Sequence, residues 1–386
     1  MELQGKPDFE KAMKRIDAWF AHEMIDRPPV RFAEHNGDFA AAHTLRDRTW
    51  PDLRARWFDT EFQVDFFLAS IRGRRFYGET FPVFWPNLGP NVYAAFHGAE
   101  LDWGEVTSWV RHCVHERADV KRLRFSRDNV YFQKIEELTR AALEKCAGKF
   151  MVGYTDLHGS LDCAADWRDP QRLCLDLLDC PELVHELVNL ANDNFLSVLE
   201  HYDAVLKAQG QLSVTWMGIP ARGKMHVPSC DFTNMVSREV FDEFYLPSLL
   251  GEVRHMTHNI FHLDGKGMLR HLDRILEIPQ IQAIQWVHGV GNDAPIMQWL
   301  PVIKKIQAAG KGVIVDLQLH ELEPFIAATR PEGLYLCMSA PESIQPDIVK
   351  RLERWQQSSL QQKRMLCASK HKTTRRIISR GRSLSF

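Results

Sequence analysis

Apolar residues recur along the second half of the chain in short, nearly continuous blocks. The blocks NIFHLDG (259–265), IQAIQWVHG (281–289), GVIVDLQ (312–318) and GLYLCMS (333–339) are rich in β-branched residues and too short for helices. That pattern predicts strands buried on both faces. Helical spacing fills the intervals: MLRHLDRIL (268–276), a segment capped by Asn292 or Asp293 that runs past Pro295 to Gly310, HELEPFIAA (320–328), and a closing helix through Trp355. Four strand–helix units in succession imply a parallel sheet.

The first half is less regular. It predicts a helix over 8–25, a strand over 28–37 and a helix over 42–72 whose Phe58, Phe62, Phe66 and Phe67 face the core. A strand-like segment follows at 81–90, then a helix capped by Asn129 and a buried strand over 150–159. Beyond these come a long helix from Pro181 to Ala208, a strand over 211–220 and a helix from the Ser237 cap to His255.

A doubly wound sheet and a (β/α)8 TIM barrel both fit this order. The glycine-rich phosphate loops GxGxxG and GxxxxGK[ST], which a doubly wound nucleotide fold would carry, are absent. Instead, polar residues recur at most predicted strand ends: Glu34/His35, Asp156/His158, Trp216, Asp231, His262/Asp264, His288, Asp316 and Cys337. A barrel gathers all such ends at one mouth. The expectation is therefore a single barrel domain over residues 1–355 with an N-terminal helical extension.

Charge adds a boundary. The 386 residues hold 48 Lys and Arg against 50 Asp and Glu, a net charge of −2. Residues 356–386 contain eight of the basic groups and no acidic one, so residues 1–355 carry −10. This basic tail is expected to be disordered, without a specific nucleic-acid or membrane partner. No run approaches the ~20 apolar residues of a membrane helix, and the first residues lack a signal-peptide core. Eight Cys without a CxxC pair read as reduced thiols of a cytoplasmic enzyme.

The sharpest chemical feature is Phe261-His262-Leu263-Asp264-Gly265. Residues two apart on a strand share a face, so His262 and Asp264 project together before a glycine turn. An imidazole and a carboxylate so placed either bond to each other or share a metal ion. With Cys337 from a nearby strand end they would make an N, O, S set with an open position, suited to catalytic Zn²⁺. Tyr154, Asp156 and His158 share a second strand face, where Asp and His serve as acid and base or simply close a turn. Asp231 precedes the Ser237 cap. Asp316 lies within an apolar strand, where a carboxylate needs a partner or an opening. Asp156, His158 and Asp231 are the catalytic candidates; Tyr154, Trp216, His288 and Asp316 are expected to line the substrate side. His255, His258 and His262 do not have the spacing of a helical metal motif, and neither HExxH nor GxSxG occurs.

In GYTDLHGSLD (153–162), DLLDCPELVHELV (176–188), VPSCDFTNMVSREVFDEFYLPSL (227–249), IFHLDGKG (260–267), IQWVHGVGN (284–292) and IKKIQAAGKGVIV (303–315) the sequence resembles the uroporphyrinogen decarboxylase-like superfamily, in the branch related to cobalamin-dependent methyltransferases. The resemblance covers most of residues 10–355. It implies a (β/α)8 barrel, and a zinc-assisted transfer of a methyl group between a corrinoid and a small acceptor. In that branch a His-x-Cys and a later Cys bind zinc. Here His262 matches the histidine, Asp264 stands in place of the first cysteine, and Cys337 or Ser339 falls near the second. The corrinoid-carrier signature DxHxxG is absent, so a corrinoid would arrive on a separate protein or free. The alternatives are metal-independent decarboxylation of a porphyrinogen, disfavoured because VRFAEHNGD (30–38) offers only Arg31 where that family has an arginine loop, and an inactive ligand-binding barrel.

Overall fold

The apolar blocks of the second half become the centre of a six-stranded parallel sheet. The computed structural model of the chain describes residues 1–33, 45, 47–289 and 295–355. Glu34, His35, Asn292, Asp293 and the basic tail lie outside the described residues. In chain order the strands are β1 (Val30–Phe32), β2 (Val83–Phe84), β3 (Glu100–Trp103), β4 (Ser108–Arg111), β5 (Met151–Val152), β6 (Met225–His226), β7 (His258–Asp264), β8 (Ala283–Val287), β9 (Gly312–Leu317) and β10 (Leu334–Met338). The sheet runs β1-β10-β9-β8-β7-β6, every pair parallel. β2 and β5 form a separate parallel pair, and β3 and β4 an antiparallel hairpin.

Both faces of the sheet are covered, as the uninterrupted apolar strands require. On one face Ile260, Ala283, Ile314, Tyr335 and Cys337 pack with Met217, Ile219 and the N-terminal helix Phe9–Phe20. On the other, Phe261, Leu263, Ile284, Trp286, Val313, Val315, Leu334 and Leu336 meet the surrounding helices. The first face carries His262, Asp264, Gln285, Asp316 and Cys337 at the carboxyl ends of the strands, because residues two apart project the same way.

Several expected elements are shorter than the pattern suggests, for local reasons. The first helix stops at Phe20, and His22 turns the chain at a positive φ of 59°. The expected helix over 42–72 is two helices, Leu53–Trp57 and Thr60–Ile71, each started by an Asp cap: Asp52 accepts from Ala55 N and Asp59 from Phe62 N. The helix after Pro181 breaks at Asn194 into Pro181–Asp193 and Phe195–Ala208. The helix from Ser237 contains a π-turn, Phe241–Tyr245, ahead of Pro247. The expected strand 211–220 is instead a turn with one antiparallel pairing, Ser213 with Ala221. The hairpin β3–β4 went unpredicted although its burial alternates along β4.

β1 is anchored by a buried ionic cluster. Glu79 accepts from Arg27 Nη1 at 2.7 Å and Nη2 at 3.0 Å, from Arg15 Nη1 at 3.2 Å, and from the Val30 N–H at 2.8 Å. The cluster ties the N-terminal helix and the 76–80 loop to the strand that delivers Arg31 to the sheet's carboxyl end.

Candidate functional site

Three donors converge at the carboxyl end of β7. Asp231, His262 and Asp264 each offer a ligand atom, and these atoms all lie within 4.8 Å of one another. β7 supplies His262 and Asp264 from one face. Asp231 arrives from the segment after β6, where it opens a short 3₁₀ turn, Asp231–Met235. The Asp264 carboxylate is 3.7 Å from His262 Nε2. The other ring nitrogen, Nδ1, is 2.7 Å from Gln285 Oε1 on β8, the residue directly beside His262 in the register. An amide oxygen only accepts, so Nδ1 carries a proton, and only the neutral ring leaves Nε2 with the lone pair that an ion would take. Burial works against charge on the ring, but hydrogen bonding to Asp264 and the nearby Asp231 carboxylate outweigh it and raise its pKa. Trp216 and this ring lie at right angles with centroids 5.5 Å apart.

A second layer positions Asp231. β5 ends at Val152, short of the expected strand, yet Asp156 and His158 still meet: His158 Nε2 is 3.1 Å from Asp156 and Nδ1 is 3.3 Å from Asp162. Asp162, near the start of the helix Ser160–Arg168, accepts the main-chain N–H of Asp231 at 3.0 Å and of Phe232 at 2.8 Å. Burial alone would raise the Asp162 pKa, but His158 and these two N–H groups hold it down. Asp231 goes the other way. Although the residue is exposed, partial loss of solvent around its carboxyl and the Asp162 carboxylate push its pKa up, against the pull of His158 and His262.

The other candidates separate. Cys337 is not among the converging donors. Its thiol accepts from Arg31 Nε at 2.9 Å, and burial pushes its pKa up to about 11 although Arg31 pulls it down. Asp316 lies beside Cys337 in the register, and Arg31 lies on the other side of Cys337. Burial raises the Asp316 carboxyl, with Arg31, His288 and His262 acting against that rise. Tyr154 is buried and donates its hydroxyl to the Met225 carbonyl, so it ties the β5 segment to β6. Sequence reasoning did not single out Asp162, Gln285 or Arg31 as functional. Asp162 falls four residues after His158, and Gln285 stands as a polar residue inside an apolar strand; both were visible signals.

The donor set of two carboxylates and one imidazole suits a divalent first-row ion such as Zn²⁺, and it is harder than a set with thiolates. Together the fold and these residues define an α/β protein with a candidate metal centre at the carboxyl end of its sheet. No protein-family model matches the chain, and no curated protein matches it. Among solved structures, the chain is similar to a methyltransferase from Methanosarcina mazei, at 12% identity and a TM-score of 0.54, over 89% of this chain and 99% of that one. At that identity the likeness is one of fold.

Proposed function

We propose that the protein is a methyltransferase that moves a methyl group between a corrinoid and a small acceptor, with a divalent ion, Zn²⁺ first, held by Asp231, His262 and Asp264. The convergence of these three donors at a strand-end mouth is the observation that carries the reading. The fold shared with the methanogen methyltransferase and the resemblance of IFHLDGKG (260–267) to the zinc-binding strand of the corrinoid-linked branch support it. The ion would supply Lewis acidity to the acceptor's nucleophilic atom. The chain's own residues do the rest. Gln285 fixes the His262 tautomer, Asp162 places Asp231, and Trp216, His288 and Asp316 line the substrate side. The corrinoid would come from a separate protein.

This reading takes the six-stranded sheet as most of a (β/α)8 barrel closed through the β2–β5 pair. Single bonds bridging the gaps support that closure: Glu79 N to Val30 O at 2.6 Å and Tyr154 N to Val214 O at 3.0 Å. Among the described residues no helix is long and apolar enough to cross a membrane.

Metal analysis of the purified protein tests the central claim. Near-stoichiometric zinc in the wild type and its loss in His262→Ala are expected. A metal-free wild type that also fails to take up added zinc would remove the reading.

A further inference from the structure

Beside the proposed metal donors, at the carboxyl ends of β1, β9 and β10, lies a cavity of about 480 Å³ whose walls include Arg31, Phe81, Asp316, Cys337 and Met338. The parallel register sets Arg31 beside Cys337 and Cys337 beside Asp316, so the three side chains share one face. The Arg31 guanidinium is mostly enclosed, yet its hydrogen-bond partners are neutral. Nε donates to the Cys337 thiol and Nη1 to the Met217 main-chain carbonyl. The turn that presents this carbonyl is closed by the Gly218 N–H donating to Thr215 O at 2.9 Å, with Gly218 at φ +67°. Among the described residues no carboxylate bonds to Arg31, and Asp316 acts on it only at longer range. Arg15 and Arg27, a few residues away in sequence, both pair with Glu79.

An enclosed guanidinium with neutral acceptors carries a desolvation cost that a bound anion would offset. Its planar fork matches an oxyanion with two coplanar oxygens. Asp316 on the same wall limits how much negative charge the cavity accepts, which favours one charge over two. Burial pushes the Asp316 carboxyl up, which softens this repulsion without abolishing it. Phe81 and Met338 offer apolar surface for the remainder of a ligand.

We propose that Arg31 anchors the carboxylate of a small, singly charged organic acid in this cavity. The anchor rests on reading the strand ends as the substrate mouth, and it is independent of whether a metal is bound.

Titration calorimetry on the full chain, as purified and again in chelator, tests it with benzoate, its neutral counterpart benzamide, and inorganic phosphate. Benzoate is expected to bind, with benzamide at least about tenfold weaker, a loss typical of a charge-assisted contact. Phosphate is expected to bind less tightly than benzoate. Arg31→Met should weaken benzoate by a similar factor, and Asp316→Asn should tighten it by about threefold as a like charge is removed. Should Arg31→Met fail to fold, the benzoate–benzamide comparison and Asp316→Asn still decide. No benzoate binding at millimolar concentration, equal affinity for benzamide, tighter phosphate, or unchanged affinity in a folded Arg31→Met would each overturn the anchor. Failure of benzoate with zinc still bound removes the anchor alone; benzoate binding without zinc uptake removes the metal reading alone.

Discussion

Asp162 reaches Asp231, whose main-chain N–H its carboxylate accepts at 3.0 Å. The same carboxylate holds the neighbouring Phe232 N–H and faces His158. Asp231 therefore reaches the β7 donors from a segment whose backbone is fixed by a buried acid on another element. In metal proteins such outer contacts set the aim of the ligands.

Asp162→Ala is accordingly expected to weaken zinc binding by about 10- to 100-fold, the range for losing an outer-shell partner. Competition with a chromophoric chelator measures it. Gln285→Ala, which frees the His262 ring, should fall in the same range. Zinc affinity unchanged in both variants would show that Asp231 and His262 are held by other means.

Cys337 gives a sharper contrast. Its thiol faces Arg31, and burial keeps it protonated at neutral pH with a pKa of about 11. Cys337→Ser is therefore expected to leave zinc stoichiometry unchanged while His262→Ala abolishes it. Metal content of the two variants, purified in parallel, distinguishes this three-donor site from one completed by a thiolate.

The reach of sequence reasoning follows from where the information lies. β7, β8, β9 and β10 were legible because each is an apolar block whose pattern its own residues complete. His262 and Asp264 were legible as a pair for the same reason, since strand periodicity alone puts them on one face. Asp231 beside that pair was not, because its position depends on a bond from Asp162, 69 residues earlier in the chain. The segments 150–159 and 211–220 read as strands from composition, but the first holds only the two-residue β5 and the Thr215–Gly218 turn leaves the second with one antiparallel pairing. Arg31 was noticed only as what remained of an arginine loop; its enclosure by Met217 and Cys337 is a tertiary fact.

The Glu79 cluster predicts where stability is concentrated. Glu79 is fully buried and is the shared acceptor of Arg15, Arg27 and the β1 backbone. Glu79→Ala leaves the buried Arg27 with only the Pro28 carbonyl and no carboxylate, and leaves Arg15 with Asp26 alone, so a loss of about 3–5 kcal/mol is expected. Urea unfolding followed by circular dichroism reports it. A loss below about 1 kcal/mol, the range of an exposed pair, would mean that water replaces the carboxylate.

His158 should make stability depend on pH in a definite direction. Burial opposes its charge, but the Asp156 and Asp162 carboxylates on either side outweigh that and hold its pKa well above the ordinary value. In the unfolded chain the ring titrates near about 6.5. Folding therefore favours the protonated ring. The stabilisation it contributes is complete below about pH 6.5, declines as the pH rises beyond that point, and is lost once the pH passes the raised folded value. His158→Gln keeps a hydrogen-bonding side chain without the charge. The wild type's advantage over this variant in thermal unfolding should be largest near pH 6 and shrink steadily towards pH 9. An advantage that stays constant or grows over that range would mean the ring is neutral in the folded protein, and that the Asp156–His158–Asp162 chain is held by hydrogen bonds rather than by charge.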